Sequence, residues 1–229
     1  MTRPAAVTLV AALVLTTSVC LATPSTLVWI PSTDVQAVRT WHFGVDNLFT
    51  LGTPAKQATD CTDIGLTYGL ARNLEVGIDL LSGMSDPLFF NAKYALGSFG
   101  AKDEWSVAVG AYGLGLEDTV SQDIWYGLVS YRCGQDRLHL GYFTGAGHVL
   151  TDPFTGADES AGILLGWDRP LADRWWAGVD YQGGRSAVGA LSLGVAYSVS
   201  ETSSVLLGAS FWNNGGIANA LTFQYDLDL

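Results

Sequence analysis

The sequence predicts an all-β fold: an antiparallel, up-and-down transmembrane β-barrel of about 12 strands. Three observations carry this expectation. Apolar and polar residues alternate with period two along most of the chain beyond residue 40, and no amphipathic helix of useful length interrupts them. Only 14% of residues are charged while 48% are hydrophobic, whereas a soluble surface carries roughly 25–35% charged residues. Tight turns also alternate with longer polar loops, as in barrels with short periplasmic turns and long outer loops.

The first element is a leader. Arg3 is the only charge before Asp34, and an apolar run from Ala5 to Ala22 follows it. A positive start, an apolar middle and small residues at the end make a secretory signal peptide over residues 1–22, cleaved after Ala22. The alternative, a membrane anchor, would need this run of 18 to span, which is the lower limit of length. Residues 23–38 are expected to form an N-terminal periplasmic segment, and residues 39–229 the barrel.

The strands are expected at 39–50, 62–70, 74–82, 87–97, 105–115, 123–133, 137–146, 161–170, 174–184, 188–200, 204–213 and 221–229. In the third, Leu74, Val76, Ile78 and Leu80 oppose Glu75, Gly77 and Asp79. In the last, Leu221, Phe223, Tyr225, Leu227 and Leu229 oppose Thr222, Gln224, Asp226 and Asp228. A spanning sheet must close to pair its backbone, so the apolar face belongs to lipid and the polar face to the lumen. Val179 and Gln182 then point opposite ways, and arginine should be far better tolerated at 182 than at 179. Trp41, Trp105, Tyr126, Trp167, Trp175 and Phe211 lie near strand ends and are candidates for interfacial girdles. The competing architecture is a soluble β-sandwich or lipocalin-like barrel with its apolar face inward.

The segments Trp29-Ile30-Pro31-Ser32-Thr33-Asp34, Tyr68-Gly69-Leu70-Ala71-Arg72-Asn73-Leu74-Glu75-Val76-Gly77, Asn91-Ala92-Lys93-Tyr94 and Gly166-Trp167-Asp168-Arg169-Pro170-Leu171-Ala172-Asp173-Arg174-Trp175-Trp176 resemble those of bacterial outer-membrane β-barrel proteins. The likeness is to a small porin- and transporter-like group and covers most of the chain. It implies location in the outer membrane, with outer-membrane lipids and the barrel-insertion machinery as partners. One departure is the final residue, Leu229, where such barrels usually end in an aromatic; Phe223 and Tyr225 keep the phase.

The net charge of −11 excludes a nucleic-acid partner, which needs clustered Lys and Arg. Cys20 belongs to the leader, and no Cys/His spacing suited to a metal is present, so neither a metal nor another cofactor is expected. Cys61 and Cys133 fall at opposite ends of their strands and are expected to remain free thiols.

The candidate site is the lumen wall. Gly44-Val45-Asp46, Gly77-Ile78-Asp79 and Gly178-Val179-Asp180 share one phase on strands of one direction. Asp46, Asp79 and Asp180 are thus candidates for an inward carboxylate ring that favours cations. Other inward charges are Glu75, Lys93, Arg137, His139, Asp168, Arg174, Asp226 and Asp228, with Lys93 expected opposite Glu75 and Asp79, and Arg174 opposite Asp168. Two readings stay open: a cation-leaning passive pore for a small solute of unspecified identity, or a plugged structural barrel whose inward acids pair with inward bases. A membrane-embedded hydrolase of lipase or protease type is a third. The sequence offers no Asp-x-His pair and no Ser two residues from His139, so no catalytic residue is assigned and an enzyme is not expected.

Overall fold

The computed structural model describes residues 25–52 and 55–229; the expected leader, 1–22, lies outside them. Among the described residues there are twelve strands: β1 (Trp41–Leu51), β2 (Cys61–Ala71), β3 (Leu74–Leu81), β4 (Leu88–Phe99), β5 (Trp105–Gly115), β6 (Ile124–Cys133), β7 (Asp136–Thr144), β8 (Ala161–Ala172), β9 (Trp175–Gln182), β10 (Ala190–Ser198), β11 (Ser203–Trp212) and β12 (Asn219–Asp228). Each pairs antiparallel with its neighbour in sequence, and β1 closes on β12 from His42↔Asp228 to Leu51↔Asn219. The observed strands match the expected series, with ends displaced by a few residues.

The period-two reading of the faces holds in burial. Leu207 (65% exposed), Trp125 (60%), Leu140 (56%) and Leu193 (42%) stand on the outside. So large an apolar belt is unstable against water and stable against hydrocarbon, which makes the barrel membrane-spanning rather than a soluble barrel with an inward apolar face. Three cross-strand pairs, Trp41–Tyr68, Trp105–Tyr131 and Trp175–Tyr197, have ring centroids 4.4, 4.5 and 4.8 Å apart. They sit at the starts of β1, β5 and β9, all at the short-turn rim, where amphipathic rings suit an interface. Tyr126 does not join a girdle. The phase of β6 turns it into the lumen beside Tyr112, 5.9 Å away, while Trp125 takes the lipid side.

Residues 25–38 do not extend into the periplasm as expected. They enter the barrel, where Leu27, Val28 and Ile30 are 1%, 3% and 0% exposed. They pack on inward-facing Ile124, Leu128, Phe143, Leu164, Trp176 and Leu206. These apolar residues break the polar phase of the lumen on β6–β11, and burial of each segment side chain is worth about 1.5–3 kcal/mol. The segment reaches β1 through Arg39, held at φ 64°, and runs so close to β2 that a Cβ on Gly69 would collide with the Ala37 carbonyl oxygen. Only glycine fits there.

The long-loop rim is capped on the same side. Leu150, from the loop between β7 and β8, is 2% exposed within the lumen cluster. Asp152 pins this loop to its neighbours, with Oδ1 accepting from the Phe154 amide and from Asn214 Nδ2, both at 2.9 Å, and Oδ2 3.2 Å from Arg185 Nε. The Phe154 amide, assisted by Asn214, Thr155 and Arg185, holds this carboxyl below the usual aspartate range.

Candidate functional site: the lumen and its carboxylates

The inward charges divide into two groups with different work. The first grips the N-terminal segment. Asp180 Oδ2 accepts three consecutive backbone N–H groups, those of Val28, Trp29 and Ile30, at 2.8, 2.8 and 3.2 Å. Gln224 Nε2 donates to the Val28 carbonyl at 2.8 Å, and Trp29 Nε1 donates to the Val188 carbonyl at 2.9 Å. Glu75 and Lys93 are register partners on β3 and β4, as the sequence led us to expect, and form an ion pair of 3.1 Å. Both also hold the segment: Glu75 accepts from Ser25 Oγ and from the Gln36 amide, at 2.5 and 2.6 Å, while Lys93 Nζ donates to the Ser25 carbonyl at 2.7 Å. Asp79 lies four residues further along β3, opposite Phe89 rather than Lys93, and accepts from Asn91 at 2.7 Å instead.

A chain of polar groups on β6, β7 and β8 holds the other end of the segment. Ser130 Oγ lies 2.7 Å from His139 Nδ1, and His139 Nε2 lies 2.7 Å from Asp168 Oδ1. Asp168 also accepts from Arg137 Nε and Trp176 Nε1, both at 2.9 Å. Arg137 pairs in turn with Asp34, and Thr33 Oγ1 donates to Ser130 Oγ at 2.9 Å. Arg174 takes no part. β8 runs on through a bulge to Ala172, which leaves Asp173 and Arg174 as the exposed turn and puts Gly178, not Arg174, opposite Asp168. The order Ser, His, Asp escaped sequence reasoning because it runs across three strands. Its signal is the register: Ser130 faces His139, and His139 faces Gly166, two residues from Asp168.

The second group of charges lines an open space. A cavity of about 600 Å³ occupies the lumen beside β1–β4 and β12 and is lined by Asp46, Asp63, Asp79 and Asp226. Asp46 and Asp63 are direct cross-strand partners, Asp79 is opposite Gly65 on the far side of Asp63, and Asp226 is opposite Gly44. Among the described residues, no Lys or Arg forms an ion pair with Asp46, Asp63 or Asp79. Asp226 and Asp228 share His42, whose ring nitrogens lie 3.2 and 2.9 Å from them. The expected set of Asp46, Asp79 and Asp180 is therefore corrected in the structure. Asp180 is across the barrel, turned to the segment's backbone, and Asp63 takes its place. The alternation of Asp63, Gly65 and Thr67 with Ile64 and Leu66 places Asp63 inward, and that signal is present in the sequence. Gln182 points inward as expected; it is 1% exposed and bonded to Tyr112 at 2.8 Å, so an arginine there would forfeit that bond.

The 600 Å³ cavity reaches Gln57, Thr59 and Met84 in the loops of the long-loop rim and ends inward at Ser25, Glu75 and Lys93. A second cavity, of about 320 Å³, lies at the short-turn rim between Thr33, Asp34, Asn73, Arg132 and Arg137. The N-terminal segment stands between the two.

No protein-family model matches the sequence, and no curated protein matches it. Solved structures do. A KdgM porin shares 8% identity with this chain at a TM-score of 0.55, over 82% of this chain and 97% of that one. The KdgM porin in complex with disordered oligogalacturonate shares 7% identity at a TM-score of 0.51, over the same shares of the two chains. At such low identity the likeness is one of fold: this chain has the closed antiparallel barrel of bacterial outer-membrane porins.

Proposed function

We propose that the protein is an outer-membrane channel that passes small cationic solutes along the β1–β4 and β12 side of its lumen. The observation that carries this reading is the set of carboxylates without basic partners, Asp46, Asp63 and Asp79, on the wall of the 600 Å³ cavity. Among the described residues, the inward bases Lys93 and Arg137 are committed elsewhere: Lys93 to Glu75, Arg137 to Asp34 and Asp168. A negative wall in a narrow, low-dielectric surround raises local cation concentration and repels anions. An acidic oligosaccharide of the kind bound to the KdgM porin is thus a poor passenger here. The test is a planar-bilayer recording under a salt gradient. The reversal potential should be cation-directed, and Asp46→Asn, Asp63→Asn and Asp79→Asn together should bring it towards zero. The preference should also weaken as the Debye length falls from about 10 Å at 0.1 M to about 3 Å at 1 M salt. An anion-directed potential would refute the reading.

The hydrolase reading has one observation in its favour, the Ser130, His139 and Asp168 sequence of contacts. Against it, Ser130 is 1% exposed and its hydroxyl is taken by Thr33. A nucleophile needs room for an acyl or phosphoryl carbon and donors for the developing oxyanion. The packing at Ser130 favours a structural role, gripping the segment.

A further inference from the structure

We infer that the barrel interior is a peptide-binding surface, and that its occupant is the chain's own segment 25–38, held as a displaceable plug. Its effect on conduction rests on the channel reading above. The barrel closes by its own strand pairing, through an unbroken ring of twelve ladders, and the segment adds to that sheet only the isolated bridge Val38↔Gly69. What holds the rest is recognition by side chains from well-separated strands. Asp180 on β9 takes three backbone N–H groups, and Gln224 on β12 takes the Val28 carbonyl. Glu75 on β3 and Lys93 on β4 hold Ser25, while Ser130 on β6 and Arg137 on β7 hold Thr33 and Asp34. Residues 25–32 form a tight turn, with the Leu27 amide donating to the Ile30 carbonyl and the Ser32 amide to the Ser25 carbonyl, both at 2.9 Å, and capture of a folded peptide's backbone by buried polar side chains, with apolar anchors between, is how receptors hold peptide ligands. The link to the barrel is short, Arg39 and Thr40, so the tethered segment has a high effective concentration at its site.

The position of the segment gives docking a consequence. Residues 25, 26, 28, 29 and 31 line the 600 Å³ cavity, and residues 33–35 line the one at the opposite rim. Docked, the segment keeps the two apart; displaced, it joins them.

The experiment uses a barrel beginning at Arg39 and a labelled synthetic peptide of residues 25–38, with a scrambled peptide as control. Fluorescence anisotropy should show saturable binding of the native peptide at least ten-fold tighter than the scrambled one. In bilayers the shortened barrel should conduct at least ten-fold more than the full chain, and added peptide should reverse the gain. Equal binding of the two peptides overturns the plug. Should the shortened barrel fail to refold, the full chain answers instead. Thr33 Oγ1 and Ser106 Oγ lie 3.1 Å apart, so Thr33→Cys with Ser106→Cys, in a background of Cys61→Ser and Cys133→Ser, can lock the segment in place. Oxidation should close the channel and reduction restore it; identical conductance in the two states overturns displacement. Specific peptide binding without conductance in any form sustains the docking site and overturns the channel reading, so the two failures are distinguishable.

Discussion

Asp180→Asn separates the two roles the inward acids can play. The Asp180 carboxylate is 1% exposed, with one oxygen accepting three N–H groups of residues 28–30 and the other without a partner. Hydrogen bonds to a charged acceptor are worth about 1.5–3 kcal/mol each, against about 1 kcal/mol for neutral pairs. An Asn carbonyl keeps the three bonds but loses the charge, a deficit of about 1.5–6 kcal/mol over the three. Relief from burying a charge with one unsatisfied oxygen offsets part of this. The net weakening of the docked segment is about 1–3 kcal/mol, or roughly five-fold to over a hundred-fold in its undocking equilibrium. Hydrogen exchange at the amides of Val28, Trp29 and Ile30 reads this directly, and should quicken by that factor while the amides of β9 stay protected. Ion selectivity should not move, because Asp180 does not line the open cavity. A change in reversal potential with unaltered exchange at residues 28–30 would return Asp180 to a pore ring and refute the division of labour argued above.

Other outcomes follow from the same structure. Val179 lies mid-strand on the outer face, between Trp167 and Leu193 of its neighbours. Val179→Arg should destabilise the barrel in lipid by about 2–4 kcal/mol in urea titrations in vesicles, whereas Asp63→Asn should leave stability within about 1 kcal/mol; equal effects would mean that inside and outside are exchanged. Cys61 begins β2 at the long-loop rim and Cys133 ends β6 at the short-turn rim, so a membrane-impermeant maleimide added to sealed, uniformly oriented vesicles should reach one thiol and not the other. The Asp152 carboxyl is held below the usual aspartate value in the folded protein. Its stabilisation is therefore complete above the ordinary value of about 3.9 and is lost as pH falls through the lower folded one. Proteolysis of loop 145–160 should be flat between pH 7 and 5 and rise only in stronger acid, while Asp152→Ala should raise it at every pH.

The sequence by itself determined the barrel, its strand count and the side of each strand that meets lipid. These are properties of period two: once Leu74, Val76 and Ile78 alternate with Glu75, Gly77 and Asp79, a closed sheet in hydrocarbon allows one orientation. Register also made Glu75 and Lys93 partners, because β3 and β4 are consecutive antiparallel strands whose alternating faces fix which inward residues meet. Tertiary structure decided what fills the space the strands enclose. Alternation shows that Asp46, Asp63, Asp79 and Asp180 point inward but not what each meets there. That depended on where the short segment 25–38 crosses the lumen, and no local pattern in Leu27-Val28-Trp29-Ile30 distinguishes a periplasmic strap from an internal one. Its partners Asp180, Gln224 and Arg137 lie more than a hundred residues away. Only closure of the barrel brings their side chains to one point, and the same closure leaves the remaining carboxylates facing open space.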